Sequence, residues 1–166
     1  ARWSYYTDGN YDRTNFSHIS KKDIFFSNKS NSREAFYFGL KETLEKYNNI
    51  GVEVIFVHQV PFQLYDPKYI YLKSLSKNDQ VIDQKKLLNF AVDYEKHMSL
   101  QNFVRDKIKL FENEGYKFKV IDLNNTFCNK DKCHVGNVKN SYYYDKSHIS
   151  KKGAEMTKNL LLRYLD

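Results

Sequence analysis

The stretch Val52-Glu53-Val54-Ile55-Phe56-Val57, entered from Gly51 and leaving through His58-Gln59-Val60-Pro61, reads as a buried parallel strand. Its β-branched and aromatic residues are nearly continuous, as expected where both faces of a strand are covered. Pro61 lacks the N–H a ladder needs and stops the strand soon after. On the N-terminal side, Ser32 suits a helix cap, and Phe36, Leu40, Leu44 and Tyr47 share one face of a helix ending near Asn48-Asn49. On the C-terminal side, the residues from Pro61 to Asp79 read as an irregular aromatic stretch. Leu87, Leu88, Ala91, Tyr94 and Met98 then keep helical spacing, Leu100, Val104, Ile108 and Phe111 keep it again, and Gly115 ends that second helical piece.

Lys117 to Leu123 reads as a second strand, and Ser150 caps a final amphipathic helix with Ala154, Thr157, Leu161 and Tyr164 on one face. At the other end, Ala1-Arg2-Trp3-Ser4-Tyr5-Tyr6 reads as a strand entered partway along, and Asp23-Ile24-Phe25-Phe26 as a short one. Strands alternating with helices predict an α/β layer structure, a mostly parallel sheet with helices on both faces. Residues 1–166 are expected to form a single domain, a usual size for one core.

The 27 Lys and Arg exceed the 20 Asp and Glu by seven, a balance that suits anionic partners. The lysines are scattered with acids between them, which favours a solvated surface over a nucleic-acid site. No run approaches the ~20 apolar residues of a membrane helix. The two cysteines, Cys128 and Cys133, flank the turn-prone Asn129-Lys130-Asp131-Lys132. A disulfide closing a small loop is the favoured reading, which would place the domain in an oxidising, extracytoplasmic compartment. Free thiols are the alternative, and no metal site is expected because further ligands at suitable spacing are missing.

Chemistry concentrates in Tyr144-Asp145-Lys146-Ser147-His148-Ile149-Ser150. An Asp and a His three residues apart can share a hydrogen bond that fixes the imidazole tautomer and stabilises its cation, the base half of a Ser-His-Asp hydrolase or acyltransferase. The same spacing also suits an ordinary capped turn. Among the remaining histidines, His58 follows a buried strand and is expected at the sheet's C-terminal rim. His18, His97 and His134 read as surface or supporting groups.

In this order along the chain, Ala1-Arg2-Trp3-Ser4, Val57-His58-Gln59-Val60-Pro61, the segment Leu123 to Cys133, and Asp145 to Ala154 resemble blocks of the SGNH hydrolase superfamily. Within it, the likeness is to the extracytoplasmic domain fused to membrane acyltransferases that O-acetylate bacterial surface polysaccharides. The resemblance implies a three-layer sandwich of the SGNH or flavodoxin-like kind lacking its first two strands, with Asp145 and His148 as catalytic residues. Arg2, Trp3 and His58 would border the substrate or the oxyanion. Trp3 and Tyr142-Tyr143-Tyr144 would suit either a stacking floor for a sugar or the core. The Gly-Asp-Ser nucleophile block of the superfamily does not occur in this sequence, so the serine is expected outside it. Ser4 and Ser147 lack the glycine-flanked turn of a nucleophile.

The implied activity is O-acetyl transfer to a carbohydrate acceptor at the periplasmic face of the inner membrane. The domain would bind no cofactor of its own and would receive an acyl group, derived from acetyl-CoA, through an upstream membrane acyltransferase domain. A carbohydrate esterase of the same superfamily and a non-catalytic glycan- or anion-binding module are the alternatives.

Overall fold

A computed structural model describes residues 7, 29–77 and 81–164, and they fall into two units along the chain. The first holds residues up to Gln59 together with Met98–Ile121; the second holds Val60–His97 and the residues from Asp122 onward. The elements, in chain order, are α1 (Lys29–Asn49), β1 (Ile55–Val57), α2 (Pro67–Ser74), α3 (Gln84–Phe90), β2 (Val92–Asp93), α4 (Tyr94–Asn113), β3 (Lys119–Ile121), α5 (Asn124–Phe127), β4 (Lys132–Cys133) and α6 (Lys151–Leu162).

In the first unit β1 and β3 run parallel, with Ile55 opposite Lys119, Phe56 opposite Val120 and Val57 opposite Ile121. The α/β class and the parallel pairing expected from Val52 to Val57 are therefore present. Phe36 from α1, Phe56 from β1, and Val104 and Ile108 from α4 form the buried cluster that covers the pair. Each such side chain contributes about 1.5–3 kcal/mol on leaving water. Asn48 ties the end of α1 to the approach of β3, donating from Nδ2 to the Lys117 carbonyl and accepting the Lys117 N–H at Oδ1. Gly115, at φ 88°, takes the left-handed conformation that closes α4.

The boundaries differ from the sequence reading in three places. Ser32 is not the cap of α1: the helix begins three residues earlier and Ser32 is buried within it. The stretch after Pro61 is not wholly irregular, because Asp66 accepts the Lys68 N–H and Pro67 supplies a preset φ at the first helical position, starting α2. The two helical pieces expected between Leu87 and Phe111 divide at Ala91 and not between Met98 and Leu100. α3 stops at Ala91, whose extended backbone leads into β2, and β2 pairs antiparallel with β4, Val92 opposite Cys133. The two strands expected before Ser32 lie outside the described residues.

In the second unit, Ile70, Leu87, Val92, Phe127, Val135 and Tyr143 are buried. α6 begins where expected, Ser150 accepting the Gly153 N–H at 3.2 Å. Gly153 has a separate reason to be glycine: a Cβ there would collide with the Tyr142 carbonyl oxygen and crowd Ile149. The start of α6 thus lies against the backbone of the segment carrying Asp145 and His148.

Candidate active site: the aspartate–histidine turn

Tyr142 to Ser150 folds back on itself. The Tyr144 N–H donates to the His148 carbonyl at 2.7 Å, the Ser150 N–H to the Tyr142 carbonyl at 2.9 Å, and Tyr143 and Ile149 form an antiparallel bridge. Side chains alternate accordingly. Tyr143 is buried and tilts against Phe127, whereas Tyr144 is 76% exposed. The Tyr143 ring therefore belongs to the core and is not available as a stacking floor.

Asp145 organises the tip of this loop. Its Oδ1 accepts the backbone N–H groups of Ser147 and His148, each at 2.8 Å, and its Oδ2 meets Nδ1 of His148 at 2.6 Å. Partial burial works against the carboxylate, but hydrogen bonds from the His148 side chain and from the Ser147 and His148 amides outweigh it and hold the carboxyl well below the usual range. An ionised carboxylate only accepts, so Nδ1 must be the donor. In the neutral ring the lone pair then lies on Nε2, the tautomer of a general base. The pair sits at the surface, with 60% of the His148 side chain and 39% of Asp145 exposed.

The Ser147 hydroxyl donates to Asp145 Oδ1 at 3.2 Å, which makes it a member of the turn. Arg2, Trp3 and Ser4 lie outside the described residues. His58 belongs to the first unit: it is buried, its N–H donates to the Ile121 carbonyl at 2.9 Å, and its ring stands edge-on to Phe56. Of the surface and supporting roles expected for His97, the structure shows the supporting one. His97 is buried, with Nε2 2.8 Å from Asn124 Oδ1.

Cys128 and Cys133 are joined by a disulfide, as the sequence favoured. The hairpin between them is closed by Asn129, whose Oδ1 accepts the Asp131 and Lys132 amides at 2.9 and 2.7 Å. A ring nitrogen of His97 lies within 4.8 Å of both sulfurs, but these are bonded to each other.

Sequence reasoning passed over Gln63. This residue is fully buried, and its N–H donates at 2.7 Å to the carbonyl of Lys146, inside the aspartate–histidine turn. The available signal was faint: a glutamine two residues past Pro61, in a run otherwise read as loop.

A protein-family model described as "SGNH domain (fused to AT3 domains)" matches residues 1–163. Among solved structures, the periplasmic domain of the lipopolysaccharide acetyltransferase of Salmonella ser. Paratyphi A is similar in fold, with a TM-score of 0.59 and 15% sequence identity. The likeness covers 84% of this chain and 51% of that one, so the chain spans about half the length of the structure it matches. No curated protein sequence matches the chain.

Proposed function

The chain belongs to the SGNH-domain family fused to AT3 domains, and from that membership we propose that it is the acyl-transferring domain of a bacterial O-acetyltransferase acting on surface polysaccharide. The observation that carries this reading is the 2.6 Å contact between Nδ1 of His148 and an ionised Asp145 on an exposed turn.

In this reading a serine outside this sequence attacks the acyl carbonyl while Nε2 of His148 takes its proton. The new imidazolium is stabilised by Asp145, and Nδ1 stays donated to Oδ2 throughout. As the first tetrahedral intermediate collapses, Nε2 gives that proton to the leaving group of the acyl donor, which leaves the serine acylated and the imidazole neutral; when the acyl group then passes to a sugar hydroxyl, Nε2 accepts the proton of that hydroxyl as its oxygen attacks and returns it to the departing serine oxygen. Because Asp145 is anchored by two backbone amides, its second oxygen is already aimed before substrate arrives, which lowers the reorganisation needed at the moment of transfer.

The acyl donor is proposed to be delivered by a membrane AT3 domain, and the acceptor to be a carbohydrate on the periplasmic side of the inner membrane. The disulfide fits an oxidising compartment. Among the described residues no helix is long and apolar enough to cross a membrane.

The test is His148→Ala in the complete gene product, with acetyl groups on purified surface polysaccharide counted by NMR. Acetylation is expected to disappear at unchanged expression. Wild-type acetylation in that variant would refute the proposed base.

A further inference from the structure

We propose that Gln63 is a positioning residue that latches the aspartate–histidine turn to the disulfide hairpin; its catalytic consequence rests on the acyl-transfer reading above. The latch has two ends within the second unit. At one end the Gln63 N–H donates to the Lys146 carbonyl at 2.7 Å, between Asp145 and His148 in the chain. At the other, Gln63 Nε2 donates at 3.3 Å to the carbonyl of Cys133, one of the two disulfide cysteines.

Lys146 is held by no other backbone bond of the loop, since the closing bonds run from Tyr144 to His148 and from Ser150 to Tyr142. The tip carrying Asp145 and His148 therefore depends on a residue far away in sequence to fix its direction. The buried Gln63 side chain is what keeps that N–H in place: its amide is fastened to Cys133, and Cys133 is restrained by both the disulfide and the pairing of β4 with β2.

The surroundings of the amide are polar in an unusual way. The Gln63 side-chain amide lies beside the buried hydroxyl of Tyr143, so each is the other's polar neighbour. The side chain holds the Cys133 carbonyl, and the backbone N–H of the same residue holds that of Lys146.

Gln63→Met keeps the length and removes the side-chain hydrogen bonds. In the complete gene product it is expected to lower the turnover for acetyl transfer on the order of tenfold or more, with the acceptor KM unchanged, because misdirecting a base affects the transition state and not substrate binding. In the 166-residue protein the His148 ring Nδ1–H resonance should broaden or move in 15N-resolved NMR while the melting transition stays cooperative. Hydrogen exchange on the unmutated protein supplies a measurement independent of any variant's folding: the Gln63 amide should be strongly protected. Wild-type turnover and an unmoved His148 signal in Gln63→Met, or a Gln63 amide exchanging like exposed loop, would overturn the latch. If His148→Ala retained acetylation, the acyl-transfer reading would fall alone, and the ring signal and exchange would still decide the latch.

Discussion

Two turns in the second unit are built by the same device and differ in one atom. In the cysteine hairpin Asn129 Oδ1 accepts the amides two and three residues ahead; in the reactive loop Asp145 Oδ1 does the same. An amide and a carboxylate serve equally for the turn, because each needs one acceptor oxygen. Only the carboxylate has a second acceptor oxygen and a negative charge to spend on His148 Nδ1. The cysteine hairpin is instead secured by a covalent bond. The proposed chemistry at the second turn is thus an addition to a structural motif, and each half of it can be removed separately.

The largest expected effect comes from Asp145→Asn. The turn should survive, as it does at Asn129, while acetyl transfer falls by about 10³–10⁴-fold because the imidazolium loses its counter-charge and the tautomer is no longer enforced. Activity assay and thermal melting on the same variant check this: near wild-type activity, or a collapsed fold, would break the comparison.

Next in size is the covalent restraint. Replacing Cys128 and Cys133 by Ser together should cost about 2 kcal/mol by the loop-entropy relation, measured by denaturant unfolding. Gly153→Ala should cost a similar about 1–3 kcal/mol, because the added methyl must displace the Tyr142 carbonyl. Unlike the cysteine change, it should also disturb the amide signals of Ser147 and His148, since it acts on the backbone of the reactive loop.

The smallest effects sharpen the analogy. Asn129→Asp should be nearly neutral at pH 7, within about 0.5 kcal/mol, since the turn needs only the one oxygen. The two turns should also differ in acid. Asp145 has its carboxyl lowered in the folded state, so its stabilising contribution is complete above the ordinary aspartate value of about 3.9 and is lost as pH falls through the lower folded value. In an NMR pH titration the Ser147 and His148 amides should therefore hold their positions below pH 3.9, where an ordinary aspartate has protonated. In Asp145→Asn that acid transition should vanish.

What could be read along the chain was local. The parallel strand at Ile55–Val57, the cap at Ser150, the close of α4 at Gly115 and the cysteine pair all rest on residues near one another in sequence. The break at Ala91 was illegible because helical spacing continues across it. What interrupts the helix is the pairing of Val92 with Cys133, a partner far along the chain. Asp66-Pro67 did signal α2, and the aromatic run around it masked the signal.

By itself, the sequence determined the α/β alternation and the pairing of a carboxylate with an imidazole three residues on, because periodicity and short-range hydrogen bonds depend on few neighbours. Tertiary structure decided that Tyr143 is core and Tyr144 surface, and that the Gln63 N–H meets the Lys146 carbonyl. Those outcomes require groups distant in the chain to be buried together, and burial is what makes each polar atom's choice of partner binding.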